Sequence, residues 1–136
     1  MIIVHDRWAS WKLASGWTSG NCDIGWAETI ALEIAIPWLV AENYNNTIVV
    51  IHSDNTGVIG TYNNSCSRNP ENNLSLQCTT TALAHQGLTI SPVYVSSALN
   101  LADNPSRGVL GHPSLHLSSR FTLPPCLACW LIPITP

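Results

Sequence analysis

Read for the alternation of apolar and polar positions, the chain divides into short strands and two longer helices. Ile2-Ile3-Val4 is a short apolar run, Asp6-Arg7 a turn, and Trp8 to Leu13 alternates large groups with small or polar ones, so the two runs predict a β-hairpin. Ser15 to Asp23, with Gly16 and Gly20, predicts a loop. From about Trp26 to Asn43 the period changes. Glu28, Ala31, Leu32, Ala35, Ile36 and Leu39 fall on one helical face, which leaves Thr29, Glu33 and Pro37 on an opposite, solvent-side line. Pro37 deep in that pattern removes a backbone hydrogen bond and is expected to kink the helix.

The next run, Ile48-Val49-Val50-Ile51, has four β-branched residues in succession and predicts a strand buried on both faces. Thr56 to Tyr62 predicts a short helix, Ser65 to Asn73 a polar connection, and Leu74 to Gln86 a longer helix ended by Gly87. Leu88 to Ser96 reads as a strand, and Pro92 within it requires an edge position or a bulge. Asn100 to Arg107 reads as a turn or the start of a short helix. Beyond Gly108 the pattern dissolves into His112-Pro113, Pro124-Pro125 and Pro133 to Pro136, which reads as a Pro-containing tail or linker over 109–136. Strand, strand, helix, strand, helices, strand is the order of an α/β fold with a mixed sheet, a hairpin leading into parallel strands joined by helices.

Composition adds limits. With 46% hydrophobic and 10% charged residues, the chain is a globular domain and not a solvated one. Five Lys and Arg against eight acids give a net charge of −3, so binding to nucleic acid through a broad basic surface is excluded and any such function rests on a local site. The residues after Met1 do not form a signal peptide, no run approaches the ~20 apolar residues of a membrane span, and the five cysteines follow no regular spacing. A soluble, intracellular protein with reduced thiols is expected. Cys126-Leu127-Ala128-Cys129 is a C-x-x-C without a second pair, which by itself does not make a zinc site. Six Trp read first as core packing, with base stacking as the sharper alternative.

Three of the acids occupy informative places. Asp54 closes the apolar strand, Glu28 lies early in the long helix on its apolar face, and Asp103 follows the strand containing Pro92. Carboxylates from separate elements that meet at the ends of neighbouring strands make a hard-cation site of the Mg2+ type. Taken one at a time they are also ordinary: a helix N-terminal charge, a cap and a turn acid.

The stretches around these acids resemble the ribonuclease H-like domains of retroelement polyproteins, closest to those of fungal elements with a tyrosine recombinase. Ile24-Gly25-Trp26-Ala27-Glu28, followed by Ala31 and Ala35-Ile36, is similar to that family's glutamate helix. Ser53-Asp54-Asn55, between the strand ending Ile51-His52 and the helix starting Thr56-Gly57, is similar to its second aspartate box. Asn100-Leu101-Ala102-Asp103, then Ser106-Arg107-Gly108, is similar to its closing motif, N-x-A-D-x-x-S-R-G.

The resemblance covers residues 1 to about 108. It implies a ribonuclease H-like mixed sheet with helices on both faces, and hydrolysis of the RNA strand of RNA–DNA hybrids. It further implies Glu28, Asp54 and Asp103 as catalytic ligands of Mg2+ (or Mn2+), and polymerase and recombinase domains as neighbours in the parent polyprotein. One departure is large. The family's first catalytic aspartate lies on a central strand reading roughly Asp-Ala-Ser, ahead of the strand matched by Ile2–Val4, and no residue here occupies that place. Asp6 ends an apolar run, but the register of Trp8 and Trp11 puts it in the hairpin turn. The expectation is therefore an N-terminally incomplete copy without activity of its own. The rival from another class is a non-catalytic remnant that binds nucleic acid weakly or acts as a scaffold. A small-ligand α/β protein is disfavoured, because no Gly-rich phosphate loop follows any strand.

Overall fold

The computed structural model describes residues 1–103, 107–117 and 122–136. Over these the chain is a mixed α/β fold with the predicted element order as far as Tyr94. Strands β1 (Ile2–Val4) and β2 (Arg7–Leu13) pair antiparallel, Ile2 opposite Ala9 and Val4 opposite Arg7. His5 takes a φ of 53° and closes the turn, so Asp6 sits exposed at the hairpin tip. Helix α1 (Ile24–Ala41) starts two residues before the apolar periodicity suggests, because the Asp23 side chain accepts the Trp26 N–H at 2.9 Å and caps it. It continues through Pro37 to Ala41.

Strand β3 (Ile48–Ser53) runs parallel to β4 (Thr89–Tyr94), from Ile48 opposite Thr89 to Ser53 opposite Tyr94. Between them lie α2 (Thr56–Asn64) and α3 (Pro70–Gln86). Helix α3 begins four residues earlier than the hydrophobic pattern predicts. Asn69 caps it and Pro70 occupies the first turn, where a missing N–H costs nothing. Gly87 ends it with φ 61°, as expected. Among the described residues β4 pairs only with β3, which leaves Pro92 on an edge strand.

One expectation about the sheet is corrected. Strand β3 is not buried on both faces. Val49 and Ile51 are half-buried, whereas Ile48 and Val50 are 67% and 55% exposed. Val49 on β3 and Ile90 on β4 pack against the core to which α1 and α3 contribute Leu39 and Leu83, and α2 contacts both strands.

The strands form two separate sheets, β1-β2-β5 and β3-β4. Both nevertheless back onto one core, in which Ile2, Ala9, Ile36, Leu39, Leu83, Leu88 and Leu117 are buried and Val4, Val49 and Ile90 pack against them. Among the described residues no strand pairs with the outer edge of β1 or the second edge of β3.

The segment expected as a tail is part of the fold. Strand β5 (Leu131–Ile134) adds antiparallel to β2, with Leu131 opposite Leu13 and Ile134 opposite Ser10. Leu117, Leu127 and Leu131 are buried, and the Leu117 N–H donates to the Trp8 carbonyl at 2.7 Å. The Trp8 indole N–H donates to the His112 carbonyl at 3.1 Å. The prolines that suggested a linker sit where no backbone N–H is needed. Pro125 begins a short helix, Pro125–Ala128, and Pro133 lies on an edge strand. Trp8, Trp26 and Trp38 are buried, in keeping with the packing reading of the tryptophans.

As a consequence α1 is surrounded. Strand β1, α2 and α3 contact it, and Leu127 and Leu131 cover the line Trp26, Ile30 and Ile34. Thr29 and Glu33, expected on a solvent side, are 0% and 4% exposed. With an 18-residue span and mean hydropathy 1.4, α1 is long and apolar enough by itself to cross a membrane. It is the one such helix among the described residues, and half of it is buried within the fold.

If residues beyond 108 are structural, Leu117→Ala should lower stability by about 2–5 kcal/mol in urea unfolding, the cost of emptying a packed site. Gly111→Ala should also destabilise, because a Cβ there would lie 2.6 Å from the Trp8 ring. Changes below about 0.5 kcal/mol for both, as at ordinary surface positions, would restore the tail reading.

Candidate metal centre at the strand ends

The two parallel strands finish side by side at Ser53 and Tyr94, and the chain places its polar groups just beyond them. Asn55 caps α2. Its Oδ1 accepts from the N–H groups of Gly57 (2.8 Å) and Val58 (3.1 Å), and the backbone N–H of Asn55 is held by Ser53 Oγ at 3.2 Å. With Oδ1 committed to the helix, the amide Nδ2 is turned to α1, where it donates to Glu28 Oε2. Glu28 is thus drawn to the end of β3 from across the interface.

On the other side the chain leaves β4 through a 3-10 turn, Ser97–Leu99, and presents Asn100. Its Nδ2 donates to Asp54 Oδ1 at 3.0 Å, and its own Oδ1 accepts from the Ala102 N–H at 3.1 Å. The Asn100 carbonyl accepts from the Asp103 N–H at 3.0 Å. Asp103 in turn pairs with Arg107 Nε at 3.2 Å. Two side-chain pairs, Glu28 with Asn55 and Asp54 with Asn100, therefore stand side by side at the end of the parallel pair, while Asp103 meets Asn100 through its backbone N–H and gives its carboxylate to Arg107. Asn104, Pro105 and Ser106 lie outside the described residues, so Ser106 of the closing motif receives no structural account.

Electrostatics agree with the geometry. The Glu28 carboxyl is held above its ordinary pKa first by burial. The Asn55 amide opposes the rise and the neighbouring Asp54 charge adds to it. The donors reaching Glu28 and Asp54 are neutral amides, and the guanidinium of Arg107 is largely exposed. An all-oxygen donor set carrying excess negative charge fits a small hard cation. Asp6 stays at the hairpin tip and His52 is exposed on β3.

Glu33 belongs to a second polar group that the hydrophobic pattern did not predict. Its Oε2 accepts from Ser75 Oγ at 2.6 Å, and Cys126 Sγ lies 3.7 Å from Oε1. Cys78, one turn along α3 from Ser75, completes the group. A signal was present in the sequence: Trp26, Ile30 and Ile34 form an apolar line of their own on α1, so the helix has more than one face to bury. Burial raises the Glu33 pKa, and its hydrogen bonds with Ser75, Cys126 and Cys78 oppose that rise.

No family model, no curated protein and no solved structure matches the chain.

Both glutamates bind a proton more tightly in the folded state than their ordinary value of 4.5 allows. Stability associated with each is present below that value and is lost as pH rises through the folded-state pKa, because the unfolded chain ionises first. In buffer containing a chelator, Glu33→Gln should flatten this loss and leave the variant at least as stable as wild type near neutrality. The readout is the difference in urea midpoint between variant and wild type from about pH 4 to 8. A difference that does not change with pH would show that burial does not raise the Glu33 pKa.

Proposed function

We propose that this chain is a ribonuclease H-like domain of a reverse-transcribing element, and that Glu28, Asp54 and Asp103 are the carboxylates of its metal centre. The observation that carries the reading is the pair of asparagine contacts at the carboxyl ends of the parallel strands. Glu28 and Asp54, singled out from separate stretches, each accept from an asparagine amide there, and Asp103 adjoins the second asparagine through its backbone N–H. Chance placement of eight acids over the chain has no reason to produce it. The two sheets that share a core, with edges on β1 and β3 that no strand among the described residues pairs, add support, since a central strand between them would join one mixed sheet.

Asp54 and Asp103 would hold Mg2+ or Mn2+ from the strand ends, and Glu28 would reach it from α1. Such ions activate water and stabilise the leaving oxygen in phosphodiester hydrolysis. Asn55 and Asn100 are positioning residues, each orienting a carboxylate through its amide. With a net charge of −3, contact with an RNA–DNA hybrid depends on metal bridging to phosphate more than on a basic surface. Holding two ions takes more ligands than these three carboxylates supply, so cleavage by the 136-residue chain should be weak.

The test compares two lengths on an RNA–DNA hybrid. The 136-residue chain should show little or no Mg2+-dependent cleavage. A chain extended ahead of Ile2 by an Asp-Ala-Ser strand should gain cleavage, lose it again with Asp54→Asn, and unfold more cooperatively. Robust cleavage by the short chain would mean that another acid, Asp6 first, completes the site. An extended chain that is folded, soluble and inert would overturn the assignment.

A further inference from the structure

We propose that Glu33, Cys78 and Cys126 bind a thiophilic divalent cation, Zn2+ foremost, and that this ion fastens the C-terminal segment to α1 and α3. The inference is independent of the strand-end centre and of the reading given to it. One oxygen and two sulfur atoms from these residues lie within 4.8 Å of one another. They come from three elements: α1, α3 and the short helix Pro125–Ala128. Tetrahedral ligands at the usual Zn–O and Zn–S distances are roughly 3.4–3.8 Å apart. Cys126 Sγ and Glu33 Oε1 are already 3.7 Å apart, so side-chain rotations of modest size complete the arrangement.

The chemistry of the group asks for a cation. Glu33 is 4% exposed, and its partners are one hydroxyl and two thiols. Among the described residues no cationic side chain forms an ion pair with it. A buried carboxylate surrounded by neutral donors stays charged only at a high cost. Both thiols are themselves held above their ordinary pKa, by burial first and then by the Glu33 charge. A divalent ion removes the conflict: it takes the place of the two thiol protons, which leave to solvent, and is held by two thiolates and one carboxylate.

The mixed sulfur and oxygen set selects against Mg2+ and Ca2+ and suits Zn2+. Glu33 forms the buried floor, while Cys78 and Cys126 are exposed at the rim, which gives the ion an entry path. Cys129 is not a member. Its Sγ lies 3.9 Å from the Cys126 carbonyl, back along its own helix, so the C-x-x-C spacing is not the basis of the site.

The full chain, reduced with a phosphine and stripped with a chelator, is titrated with Co2+ and then Zn2+. One Co2+ per chain should bind, with sulfur-to-cobalt charge-transfer absorption of two-thiolate intensity, and Zn2+ should displace it and raise Tm. Cys78→Ser and Cys126→Ser should each halve that absorption and weaken binding by about tenfold or more. Glu33→Gln should weaken binding while keeping both thiolate bands, and Cys129→Ser should change neither. Wild type supplies a second readout that needs no variant to fold. Zn2+ should protect Cys78 and Cys126 from alkylation, while the exposed Cys66 and Cys129 continue to react. Absence of charge transfer in wild type would overturn the site, as would bands that survive Cys78→Ser but vanish with Cys129→Ser. Equal alkylation of all four thiols with and without Zn2+ would overturn it as well.

Discussion

Because β1, α2, α3 and the 122–136 segment all pack against α1, that helix has almost no side on which a polar residue meets water. Each fully buried apolar side chain along it contributes about 1.5–3 kcal/mol. Trp26, Ile30, Leu32, Ile34, Ile36, Trp38 and Leu39 are all buried. The same packing sets the conditions for every polar group the helix carries. Thr29 resolves its burial locally, donating its hydroxyl proton to the Gly25 carbonyl at 2.7 Å. The two glutamates have no such local solution and must find partners on other elements.

Those partners differ, and so does the chemistry available to each acid. Glu28, nearer the start of the helix and only partly buried, reaches the ends of the parallel strands and meets amides and another carboxylate. That is an oxygen environment, suited to a hard cation. Glu33, somewhat over one turn further on, is enclosed by α3 and the C-terminal segment and meets a hydroxyl and two thiols. That is a sulfur-bearing environment, suited to a soft cation. One surrounded helix thus places its two acids in surroundings of opposite character, and which elements cover each side of it decides which acid meets which partners.

The C-terminal segment has a second consequence through β2. Pairing with β5 extends the hairpin into a three-stranded sheet, so β2 has partners on both edges, while among the described residues β1 and β3 each keep one edge unpaired. Unpaired edges of apolar strands invite further strand addition. The exposure of Ile48 and Val50 on β3 adds an uncovered apolar face at the same place.

How much of this was legible in the residues follows from what each signal measures. Local periodicity and turn chemistry determined the hairpin, the two long helices, the strand with Asp54 just past its end and the Gly87 stop, because each depends on neighbours within a few positions. The placement of Glu28, Asp54 and Asp103 at the ends of elements was legible for the same reason. Glu33 was misread because a helical face is polar or apolar only relative to what covers it, and the covering elements, α3 and the 122–136 segment, are far away in sequence. The tail was misread because prolines register as breakers in a local reading, whereas Pro125 and Pro133 occupy the positions in a helix start and an edge strand that tolerate them. By itself the sequence determined which segments become strands or helices and where acids stand along them. Only the tertiary structure decided which of those acids lose water and whose side chains they meet, since desolvation depends on the sum of contacts from every element that closes over a residue.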